Sequence, residues 1–169
     1  MNKVISGTAF VYGNNIDTDQ IYPGRFLSET DLQDVAHHAM AGIDENFLKE
    51  FHPGDLIIAG TNFGCGSSRE HAAITLKAIQ IGGVVAESFA RIFFRNAINL
   101  GIPLVVCLGI RKHVSRYDKI TIDMDTATLK NEMTGKTFAC EPLSNYMMRI
   151  LEAGGIKPML RAQYGQKNS

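Results

Sequence analysis

Cysteine is scarce in this chain: Cys65, Cys107 and Cys140 are the only three, far apart and without a C-x-x-C pair. That spacing argues against a disulfide framework and against a self-contained zinc or iron–sulfur site. Any iron–sulfur cluster the chain works with must sit on another chain. Net charge is missing too, because 17 Lys and Arg balance 17 Asp and Glu. No overall positive field draws the chain to nucleic acid or to a membrane surface. Nowhere do the roughly 18 apolar residues of a membrane span run together. The opening MNKVISGTAFVYG alternates and carries glycines, unlike the apolar stretch of a secretory signal. A cytoplasmic location is the expectation. No repeat, low-complexity linker or charge run divides the 169 residues. They fit one domain, 1–169, with a polar tail from about residue 157.

What is present has the texture of a globular α/β protein, with 45% hydrophobic and 20% charged residues. Residues 4–12 alternate as a strand, and IDTDQIYPGRF reads as an ordered loop. Residues 31–41 read as a helix capped by Thr30 or Asp31 and stopped by Gly42, and residues 45–51 as a shorter one. Strand 55–59, helix 69–81, strand 84–87, helix 89–99 and strand 103–108 then alternate, which predicts a parallel α/β core. Cys107, in IPLVVCLG, reads as a small core residue. After Gly109 the pattern changes to short antiparallel strands at 118–124, 126–130 and 136–140. A last helix spans 143–153, ended by Gly154-Gly155, and the tail after Ile156 is expected to fray.

The informative place is the glycine-rich turn Gly64-Cys65-Gly66-Ser67-Ser68-Arg69-Glu70-His71, between a strand and a helix. Read locally, Ser67 and Glu70 form a capping box and the glycines allow a tight turn. Three features point beyond a cap. The turn follows the carboxyl end of a strand, where open α/β sheets place ligands. A helix start supplies free N–H groups and positive potential. Arg69 in the first turn is electrostatically out of place unless an anion joins it. The dinucleotide and P-loop patterns both fail here. Cys65 as a nucleophile, with His71 or His52 as its base, is a competing enzyme reading.

NFGCGSSREHA resembles the signature of the aconitase C-terminal swivelling domain and of the separate small subunits of isopropylmalate dehydratases. GNNIDTDQIYPGRFL, AMAGIDENF and SFARIFFRNAINLGIPLV are similar to further segments of those subunits in the same order, so the resemblance covers most of residues 4–110. It implies an aconitase C-terminal-like β/β/α domain with a parallel core and extra antiparallel strands. It implies a hydro-lyase that isomerises 2- and 3-isopropylmalate in leucine biosynthesis. Ser67 would be the base, Ser68 would help hold substrate, and Arg69 would grip a carboxylate. The partner would be a large subunit carrying a [4Fe-4S] cluster, with no cofactor bound by this chain. Asp19 matches an acidic position near the family's site, and it equally fits a turn-forming Asp bonded to backbone.

Substrate choice in this family lies largely in the loop after Asp19. Members that take an extra carboxylate, such as homoaconitase, resemble P-x-x-Y-L-R-T there. This chain has Pro23-Gly24-Arg25-Phe26-Leu27-Ser28-Glu29, with Ser28 where that arginine would stand. Burying an unpaired third carboxylate costs on the order of several kcal/mol. An aliphatic group against Phe26 and Leu27 fits better, although Arg25 offers another guanidinium. Residues 26–29 read as a mobile loop, given the glycine and polar flanks. Dimethylmalate and homoaconitate are the alternative substrates, and a non-catalytic anion- or RNA-binding module is the alternative outside enzymes.

Overall fold

The computed structural model describes residues 3–165; residues 1, 2 and 166–169, the end of the expected polar tail, lie outside the described residues. Strand β1 (Val4–Val11) serves two sheet segments. Its first part, Val4 to Thr8, pairs antiparallel with β5 (Lys119–Asp123), and Ala9 to Val11 pair parallel with β2 (Leu56–Ala59). Parallel strands β3 (Gly83–Ala86) and β4 (Leu104–Val106) extend one side. Antiparallel β6 (Thr128–Asn131) and β7 (Thr137–Ala139) extend the other, giving the order β4-β3-β2-β1-β5-β6-β7. The fold is therefore the expected one: a parallel core with added antiparallel strands in a single curled sheet.

The parallel strands are buried because helices cover them. LIIA of β2 and GVVA of β3 are buried at every position, which explains why they show no polar alternation. Helices α4 (Glu70–Ala78) and α5 (Arg91–Asn99) link β2 to β3 and β3 to β4. The curl brings distant segments together: the Glu141 N–H donates to the Val106 carbonyl, and Cys107 Sγ lies 3.6 Å from the Ala139 carbonyl. Cys107 is buried, as its sequence setting implies.

Several local expectations change. The IDTDQIYPGRF segment is not all loop. It contains a short helix α1 (Thr18–Ile21), capped reciprocally by Asp17 and Gln20, and a 3-10 turn at Gly24–Phe26. The helix expected over 31–41 keeps its Asp31 cap but is only α2 (Leu32–Ala36), and turns follow it. The next helix shortens to α3 (Phe47–Glu50). Helix α6 (Asn145–Ala153) ends on a left-handed Gly154, as expected. It is not the last, however: α7 (Ile156–Gly165) follows, with Met159 buried. Ile156 and Met159, at i and i+3, pack toward the core and anchor an otherwise largely exposed helix, while Leu160 stays exposed.

Candidate active site

Beyond the carboxyl ends of β1, β2 and β3 the three connecting loops stay paired. The Gly64 N–H donates to the Ile16 carbonyl, the Thr18 N–H to that of Cys65, and the Ala90 N–H to that of Phe63. Isolated bridges join Asp17 to Cys65 and Phe63 to Phe89. The glycine-rich loop is thus the middle strand of a backbone ladder that continues past the sheet. Gly64 has φ +86°, and a Cβ there would collide with the Phe93 ring. Only glycine lets the chain turn while α5 packs this closely.

Ser67, Ser68 and Arg69 line a cavity of about 260 Å³ between this loop, Thr18 and the start of α5. Both serines are exposed and Arg69 is half-buried. The Ser67 carbonyl accepts the Thr18 hydroxyl at 2.8 Å and the Arg69 N–H at 2.8 Å, so its backbone is tied to α1. That placement undoes the expected capping box. The N-cap of α4 is Arg69 itself, in extended conformation, and no side chain caps the helix. Ser67 stands two residues too early to reach the helix amides, whose first turn lacks a side-chain acceptor beside the cavity.

Arg69 Nη1 donates to Asp19 Oδ1 at 2.7 Å, and the same oxygen accepts the Gly24 N–H at 2.8 Å. Asp19 therefore bonds backbone in a turn, as one sequence reading expected, and also pairs with Arg69 of the glycine-rich loop. The Arg69 bond, then the Gly24 N–H, hold the Asp19 carboxyl below its ordinary range. The guanidinium lies flat over Gly24, where an added Cβ would stand 3.0 Å from Nη2.

Arg25, Phe26, Leu27 and Ser28 are not brought into that cavity. The Phe26 ring stacks on His38 with centroids 3.5 Å apart, Arg25 lies over the same ring, and Leu27 and Ser28 are exposed. The loop is built rather than loose, since the Tyr22 hydroxyl donates to the Phe26 carbonyl at 2.6 Å and the Glu29 N–H bonds there too. The cysteine-nucleophile reading fails on geometry. Burial, with Asp17 beside it, pushes the Cys65 thiol up. His71 stacks on Tyr22 and faces the Glu29 carbonyl, while His52 is an exposed partner of Asp55.

Sequence reasoning missed Thr18, Ile92, Phe93 and Asn96, which line the same cavity. All four stand in segments already singled out, IDTDQ and SFARIFFRN, but nothing in spacing alone turns them toward the glycine-rich loop.

A model of the aconitase C-terminal domain matches residues 12–107, more than half of the chain and all of the loops just described. The chain belongs to the aconitase C-terminal domain family. It is 50% identical over 163 residues to 3-isopropylmalate dehydratase small subunit 1 of Methanopyrus kandleri, covering 96% of each chain. It is 46% identical over 166 residues to the isopropylmalate/citramalate isomerase small subunit of Methanocaldococcus jannaschii, covering 98% of this chain and 99% of that one. The crystal structure of a 3-isopropylmalate dehydratase from Methanocaldococcus jannaschii superposes with a TM-score of 0.93 at 42% identity, covering 98% of both chains. Within the aconitase C-terminal domain family the chain is a small-subunit homologue of 3-isopropylmalate dehydratase, a hydro-lyase.

Proposed function

We propose that this chain is the small subunit of a cytoplasmic dehydratase that interconverts 2- and 3-isopropylmalate in leucine biosynthesis, acting with a large subunit. The observation that carries this reading is the convergence of Ser67, Ser68 and Arg69 on one cavity, with Arg69 held in place by Asp19. The one sheet, with a core running through its parallel and antiparallel parts, supports treating residues 1–169 as one domain. No helix among the described residues is long and apolar enough to cross a membrane.

Dehydration of a hydroxy acid followed by rehydration on the neighbouring carbon needs a base for a weakly acidic C–H and a fixed carboxylate. Ser67 is the base: it lines the cavity together with Arg69, just before the uncapped start of α4. Both favour negative charge on the serine oxygen. Ser68 donates to the substrate. Arg69 uses one N–H on Asp19 and keeps others of its planar fork for a substrate carboxylate. A [4Fe-4S] cluster on the large subunit would supply the Lewis acid for the hydroxyl. Among the described residues of this chain no group of three His, Cys, Asp or Glu side chains is placed to hold a metal.

A smaller alkylated malate on the same site is a second reading, favoured by the relative named for both isopropylmalate and citramalate. The test is anaerobic reconstitution with the large subunit, assayed on 2- and 3-isopropylmalate, citramalate, 2,3-dimethylmalate and homoaconitate. Isopropylmalate turnover should dominate. Ser67→Ala should lower kcat by roughly 10²–10⁴-fold while the subunits still assemble. Retained turnover would remove Ser67 as the base.

A further inference from the structure

Two polar side chains of the cavity, Arg91 and Asn96, have no task in the scheme above. Asn96 is half-buried in α5, lines the cavity opposite the serines, and its amide makes no hydrogen bond among the described residues. Every buried side-chain nitrogen or oxygen there does have a partner, so the Asn96 amide is unpartnered because it faces open space. Helical spacing decides which α5 side chains point inward. Ile92, Phe93 and Asn96 share the face on this cavity, while Phe94, Arg95 and Ile98 line the groove against α6. Arg91 touches both spaces but falls on the groove-facing side by that same spacing. It is therefore a rim residue, whereas Asn96 shares the cavity face of α5 with Ile92 and Phe93 and also borders a neighbouring cleft.

A dicarboxylate brings four acceptor oxygens and no donor on its carboxylates. Arg69 already spends part of its donor capacity on Asp19. An amide can turn its Nδ2–H₂ toward an acceptor-only group without adding charge. We propose that Asn96 is a further substrate-binding residue, donating through Nδ2 to a carboxylate oxygen of the substrate. This rests on the dehydratase reading above.

The experiment compares N96A and N96D with wild type in the reconstituted holoenzyme, reading KM, kcat and Tm with isopropylmalate. N96A should raise KM about ten-fold with little change in Tm. N96D, nearly identical in shape, should lose more, because a carboxylate would then face a carboxylate. A packing role gives the opposite order, with the isosteric acid better tolerated than alanine. Asn96 also borders a neighbouring cleft lined by Glu70, so E70Q is combined with N96D. Recovery in that double variant would overturn the proposal by making Glu70 the charge that the introduced carboxylate meets. So would a KM for N96A and N96D within about two-fold of wild type. If N96D does not fold, the KM of N96A decides alone. A wild-type holoenzyme that turns over no alkylmalate sinks the dehydratase reading itself, a result distinct from either of these.

Discussion

In the proposed site the charge is set by two residues 50 positions apart in sequence, Arg69 and Asp19. Arg69 is 24% exposed at its side chain and Asp19 64%, so the pair is a positioning device more than a source of stability. Asp19→Asn keeps the Gly24 bond and removes the charge that orients the guanidinium. The reconstituted enzyme should lose roughly ten- to hundred-fold in kcat/KM, with little change in Tm. An unchanged kcat/KM would mean that Arg69 is placed by Gly24 and packing alone. The pH behaviour follows from the direction of the Asp19 shift. Its carboxyl is held below the ordinary range, so the pair is intact above that range and is lost only as pH falls through the lowered folded value. Activity loss in mildly basic solution therefore has another origin.

At the scale of elements, the β2–α4 loop is held between the loops that follow β1 and β3, and its Gly64 packs directly against the Phe93 ring of α5. Gly64→Ala combines a positive-φ backbone with a clash against Phe93. It should cost about 1–3 kcal/mol, a fall of roughly 2–4 °C in Tm for each kcal/mol, measured by thermal unfolding of the isolated chain. A Tm within a degree of wild type would mean that α5 yields easily. This packing also explains what sequence could and could not reveal. The alternation of buried strands and helices was legible, because periodicity records which face of each element is covered. Ser67 and Glu70 had the spacing of a capping box, but the Thr18 hydroxyl of α1 holds the Ser67 carbonyl and α4 has Arg69 as its N-cap. No local pattern contains that bond. Phe26 looked available to a substrate until His38, twelve residues on, proved to stack against it. Asn96 was invisible for the same reason: its role depends on which loop α5 meets. Helix α7 was missed because its two apolar anchors, Ile156 and Met159, are diluted by lysine, arginine and glutamine.

For the whole molecule, the question is what joins the antiparallel part to the part that carries the site. Strand β1 does so by backbone, and a polar network does so by side chains. Asp44, in the connection between α2 and α3, accepts the Tyr12 hydroxyl at 2.8 Å and Arg116 Nη2 at 2.9 Å. Arg116, just before β5, also reaches Glu50 at 3.3 Å and lies over the rings of Phe10, Tyr12 and Tyr117. The network thus fastens the approach to β5 onto the end of β1, from which the site loops depart. Burial works to raise the Asp44 carboxyl, but the bonds from Tyr12 and Arg116 outweigh it and hold the group below its ordinary value. A carboxyl lowered by folding adds stability above its unfolded value, and that stability disappears as pH falls through the folded value. Asp44→Asn removes the charge and turns one acceptor into a donor that must face either Arg116 or the Asn46 N–H, and should cost about 1–3 kcal/mol at neutral pH. Urea unfolding of both proteins from pH 7 down to pH 3 checks this. The gap between wild type and variant should close on the acid side of the ordinary carboxylate range. A gap that persists undiminished at pH 3 would mean that Asp44 contributes through shape and neutral hydrogen bonds, and that charge plays no part in joining the two halves.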